Sequence, residues 1–200
     1  LKNWRNSGKH FLDCWKTLKE QEKSRKPKPE PTIMLGVYNN FPEAVHNIVD
    51  FASLVSNKRL QSALVQAFYK LNSETLALEE VAAPSIPQCT AMFEFGVAED
   101  TDFNYLDSEE KGKLLKAMEK KPFALIDFFC IMRYRKMQAE KKTPLKSDYY
   151  MLRFQFGKEL TQMQIFHEKG LMYVSPKDLP EFTIKRINSE FSKKVLKLAE

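Results

Sequence analysis

Glycine is scarce: six in 200 residues, none clustered. Neither GxGxxG nor GxxxxGK[ST] occurs, so no backbone cradle for nucleotide phosphates is encoded and nucleotide hydrolysis is set aside. A GxSxG nucleophile elbow is also missing. The three histidines, His10, His46 and His167, share no CxxC or HxxxH spacing, which leaves no zinc motif. Three cysteines, Cys14, Cys89 and Cys130, are odd in number and far apart. That argues against a disulfide framework and for an intracellular, reducing compartment, cytoplasmic or nuclear. No run approaches the roughly 18–20 apolar residues of a membrane span. The start, LKNWRNSGKHF, has no apolar signal region and no Met, so the chain is expected to be a piece of a longer protein or a processed one.

What is present supports a core: 43% hydrophobic residues and 15 Phe. The net charge of +6 is unevenly spread. Residues 1–28 carry +6, residues 29–110 carry −10, residues 111–146 carry +8 and residues 147–200 carry +2. An acidic third is flanked by basic segments. Such a pattern suits nucleic-acid contact through the basic parts, or pairing between opposite blocks within the chain or with a partner.

Along the chain, residues 3–24 read as an amphipathic helix with Trp4, Phe11, Trp15 and Leu18 near one stripe. RKPKPEP at 25–31 reads as an extended linker. Residues 1–31 are therefore taken as a basic arm and 32–200 as one α+β domain. In that domain TIMLGVY (32–38) reads as a strand, 42–55 and 57–72 as a helical hairpin, and 90–98 as a strand. Asp107 opens a helix at 108, with a carboxylate at Glu110. The apolar run from Pro122 to Lys141 reads as a second, buried helix. Residues 149–156, 159–169 and 171–175 read as an antiparallel meander. A last helix follows Ser175-Pro176, burying Ile184, Ile187, Phe191, Val195 and Leu198. The expected class is α+β, with about five strands in an antiparallel meander packed with about five to six helices. The order of elements near the end also permits a winged-helix-like piece.

Two clusters carry candidate chemistry. Arg133, Tyr134, Arg135, Lys136, Lys141, Lys142 and Lys146 form a basic, aromatic-containing segment, and Lys193 and Lys194 add charge on the last helix. Lys and Arg neutralise phosphates, and an aromatic face stacks a base. If 122–141 is a helix, Arg133 and Arg135 stand roughly 200° apart and share no face. The second cluster is DTDFNYLDSEEK. Asp100, Asp102 and Asn104 match the first three ligand positions of a calcium loop. Tyr105 replaces the turn glycine and Lys111 the bidentate Glu, so the match is weak. Glu94 reads as the exposed face of its strand, and His167 as a half-buried histidine beside Met163 and Ile165. Trp4, Phe11 and Trp15 are the docking residues of the arm, whether on its own domain or on a partner.

These residues lead to a non-catalytic intracellular binding module with no cofactor, contacting nucleic acid or a nucleic-acid-associated complex through its basic segments. A second reading is an assembly adaptor that docks by its arm or C-terminal helix. A third is a metal-dependent enzyme using the acidic 99–110 loop.

Overall fold

The computed structural model describes residues 2–22, 34–83, 86–138 and 141–199. Among these, four α-helices and nine strands form a mixed, α+β fold around a single antiparallel sheet. The helices are α1 (Lys2–Glu22), α2 (Asn57–Leu71), α3 (Ser108–Lys120) and α4 (Leu179–Asn188). The strands are β1 (Asn47–Ser53), β2 (Thr75–Ala77), β3 (Cys89–Glu99), β4 (Asp102–Tyr105), β5 (Leu125–Gln138), β6 (Lys141–Pro144), β7 (Asp148–Phe156), β8 (Leu160–Lys169) and β9 (Leu196–Leu198). Their order across the sheet is β2-β3-β5-β7-β8-β1-β9, with β4 on β3 and β6 on β5. The sheet is larger, and the helices fewer, than the sequence leads one to expect. The proline-rich linker 25–31 lies outside the described residues.

Alternation along the central strands sorts side chains onto two covered faces. Phe93, Phe95, Phe128, Cys130, Tyr134, Leu152 and Phe154 join the main core, which is closed by α2, α3 and α4. Ala98, Phe129, Ile131 and Met151 point the other way, into a second cluster with Phe11, Trp15 and Leu18 of α1 and with Tyr38 and Phe41. Phe11 lies over Gly96, where a Cβ would collide with its ring, so the missing side chain lets the helix approach. Burying three large apolar side chains stabilises the α1 contact by about 1.5–3 kcal/mol each, before ordering costs. The loop after residue 34 is pinned by a buried pair. Asp127 accepts from Tyr38 N at 2.8 Å and from Arg153 at 2.7 and 2.8 Å. Arg153 also stacks 4.1 Å from the Phe41 ring centroid.

Five expectations are corrected. Residues 122–141 hold β5, not a helix, which also removes the winged-helix-like reading. This strand lies between β3 and β7 with both faces buried, so it reads as a continuous apolar run and not as an alternation. Residues 47–53 are β1, not part of a helix. Ile48 and Val49 fit either period, and pairing with β8 and β9 decides. Of residues 32–38, the described residues 34–38 supply only isolated bridges at Leu35 and Tyr38, and residues 171–175 form no strand. The last helix stops at Asn188, whose amide works as a substitute peptide group. Its Oδ1 accepts from Val195 N and Leu196 N, and its Nδ2 donates to Leu196 O. The chain then returns as β9.

Candidate functional site

Strand geometry redistributes the basic segment. In β5, residues two apart share a face, so Arg133, Arg135 and Met137 all lie on the α1 side of the sheet. Tyr134 points into the main core, is 1% exposed, and donates its hydroxyl to Asp148 at 2.9 Å. Its ring therefore offers no surface for stacking. Beyond Met132, which faces the first residue of β7, β5 leaves β7 and pairs with β6. Arg135 faces Pro144, Lys136 faces Thr143 and Met137 faces Lys142. On its other edge β5 still pairs with β3, where Thr90 faces Arg135 and Cys89 faces Lys136, so β5 lies between β3 and β6 here, with Arg135 and Lys142 on one face and Lys136 on the other.

Arg135, Lys142 and Lys146 are exposed and Lys136 is half-buried. Among the described residues no carboxylate pairs with any of the four. Residues 133–146 contain six basic residues and one acid. The side chains of Lys141 and Trp4 are outside those described. Lys193 and Lys194 are exposed in the turn before β9. That strand is four strand spacings from β5, roughly 19 Å, so the β5–β6 cations and this pair are not brought together.

Arg133 is engaged elsewhere. Glu94, expected on an exposed face, is 1% exposed because α1 covers it. His10 of α1 meets Glu94 Oε2 through Nδ1 at 2.7 Å. Arg133 forms an ion pair with Oε1. The approach lacks hydrogen-bond geometry, and neither Oε1 nor Arg133 Nε has a hydrogen-bond partner among the described residues. Four residues after His10, Cys14 Sγ lies 3.7 Å from His10 Nε2 and 3.6 Å from the Tyr149 hydroxyl. The Cys14 sulfur, and then Glu94, raise the His10 pKa to about 9 against the opposing effect of burial. Burial, then Cys14, pushes the Tyr149 phenol upward. Nothing in the sequence marks this cluster. His10 and Cys14 at i,i+4 share a helix face, but their partners are 84 and 135 residues away.

Phe11 and Trp15 are buried against the protein's own sheet. The acidic loop holds that contact in place. Asp102 accepts from Trp15 Nε1 at 3.0 Å and pairs with Lys19. Asn104 donates to Glu99 at 2.6 Å and Asp100 accepts from Asn39. Among the described residues no group of three His, Cys, Asp or Glu is arranged to hold a metal ion. Asp148 is buried and accepts from Tyr134, Met172 N and Tyr173 N, with His167 Nε2 at 3.3 Å. Its partners are all structural: they tie β5, β7 and the loop after Gly170 together. Here a Cβ on Gly170 would strike Asp148.

No family model, no curated protein and no solved structure matches this chain.

Proposed function

We propose that this protein is a non-catalytic binding module that contacts the phosphates of nucleic acid through the basic β5–β6 segment. The observation that carries the reading is the set Arg135, Lys136, Lys142 and Lys146, without a carboxylate partner among the described residues and gathered on the end of β5, on β6 and in the loop after it. Lys and Arg left without carboxylate partners neutralise phosphates with an affinity that does not depend on sequence. The buried Tyr134 argues against base stacking, so the contact is electrostatic and weakly selective for sequence.

The test is fluorescence anisotropy with labelled duplex DNA, duplex RNA and single strands as salt is varied. Four phosphate contacts on duplex DNA predict a log–log salt slope of about −3.6, or roughly a hundredfold weakening between about 50 and 200 mM salt. Replacing Arg135, Lys136, Lys142 and Lys146 together by Gln removes most of that slope. A Lys193→Gln, Lys194→Gln variant keeps it. No measurable affinity at low salt, or an undiminished slope in the fourfold variant, eliminates this reading.

A further inference from the structure

We propose that Cys14 is a thiol-exchange site that forms a mixed disulfide with a small disulfide entering the cavity beside α1. Three features of the structure converge on this sulfur. The first is access. A cavity of about 190 Å³ is lined by Asp13, Cys14, Thr17, Leu18, Tyr149 and Lys169, so a disulfide bond can reach the sulfur from this side. Cys14 is partly exposed, while Cys89 and Cys130 are buried and their thiols are pushed up by that burial. The second is the partner. The sulfur lies beside the His10 ring, 3.7 Å from Nε2 and 3.9 Å from Nδ1, and Nδ1 is held by Glu94, so the ring is fixed in orientation by a buried carboxylate. The third is the donor on the other side, the Tyr149 hydroxyl at 3.6 Å. The sulfur thus lies between an imidazole and a phenol hydroxyl beside the cavity.

The exchange balances with the small disulfide as oxidant. The Cys14 proton leaves to solvent, since His10 already carries its own, and the sulfur attacks one sulfur of R–S–S–R. The S–S bond breaks as the Cys14 Sγ–S bond forms. The leaving R–S⁻ takes a proton from His10, which regains one from solvent, and departs as R–SH. Cys14 is oxidised to the mixed disulfide and one sulfur of R–S–S–R is reduced to a thiol. Glu94 touches neither reactant and is a positioning residue that acts through His10. The charged and titratable groups around the sulfur are Asp13 and His10 from α1, Glu94 from β3, Arg133 from β5, Tyr149 from β7 and Lys169 at the end of β8.

Oxidised glutathione at neutral pH is the probe, followed by intact-mass measurement and peptide mapping on the full chain. One glutathionyl adduct is expected, on Cys14 and not on Cys89 or Cys130. It forms several-fold faster than on N-acetylcysteine under the same conditions. His10→Asn slows it to about the N-acetylcysteine rate, with α1 docking followed by Trp15 emission in a Trp4→Phe background. Tyr149→Phe, which removes only a hydroxyl, slows it about two- to fivefold and serves where His10→Asn loosens the helix. An adduct on Cys14 that forms no faster than on N-acetylcysteine, modification of Cys89 or Cys130 in its place, or rates unchanged in both variants overturns the proposal.

Discussion

Single residues decide whether α1 stays on the sheet, and two of them titrate in opposite senses. His10 moves from 6.5 to about 9 on folding. Its contribution to docking is therefore complete below about pH 6.5 and is lost as pH rises through about 9. Asp102 is the reverse case. Burial pushes its carboxyl up, but Lys19 and Trp15 together outweigh burial and hold it below its usual value. Its contribution is present above the ordinary carboxylate range and is lost as pH falls through its folded-state value. Trp15 emission in a Trp4→Phe background should hold between about pH 5 and 7 and change on both sides of that window. A flat profile from about pH 6 to 10 would exclude His10 from the docking contact. None of this is legible in the sequence. A lone histidine on a helix acquires its meaning from a carboxylate on a distant strand, and Glu94 looks like an exposed residue until α1 is placed over it.

Elements differ in how much of their identity is local. Helix α2 carries its own evidence, with Leu60, Leu64, Phe68 and Leu71 at helical spacing and Ser56 accepting from Arg59 N at its start. Helix α3 does likewise through Asp107, which accepts from Glu109 N and Glu110 N. Strands β7 and β8 alternate clearly enough to be read directly. β5 does not, because it is buried on both faces and period two disappears. The same change of element returned Arg133 and Arg135 to one face. The end of α4 is set by one side chain, so Asn188→Ala is a test at this scale. It leaves Val195 N, Leu196 N and Leu196 O without their partner and is expected to cost about 1–3 kcal/mol. Urea denaturation measures the loss. An unchanged midpoint would mean that β9 holds to β1 without the Asn188 bridge.

Across the whole molecule, the alternating charge blocks meet each other in part. His10 and Lys19 from the basic arm meet Glu94 and Asp102 of the acidic third, and Arg133 of the second basic block also meets Glu94. Part of the charge left over lies at the end of β5, on β6 and in the loop after it, at Arg135, Lys136, Lys142 and Lys146. The apolar half of the arm covers Ala98, Phe103, Phe129, Ile131 and Met151. Removing residues 1–33 uncovers that cluster, so the shortened chain is expected to bind an apolar dye. Its melting temperature should fall by about 5–15 °C, the scale of several kcal/mol in a domain of this size. Equal melting temperatures and no dye binding would mean that α1 contributes nothing to the sheet it covers.

By itself the sequence determined the charge blocks, the amphipathic character of α1 and α2, the cap of α3 and the β7–β8 pair. Each of these is a local pattern of one covered face, one cap or one run of like charge. Only the tertiary structure decided that residues 125–138 are a strand, that Tyr134 is core while Arg135 is surface, and that Glu94, Asp127 and Asp148 are buried carboxylates. The reason is physical. A periodicity reports the contrast between a wet face and a dry one, and a central strand roofed by helices on both sides has no such contrast. A buried carboxylate, likewise, is defined by donors that arrive from remote parts of the chain.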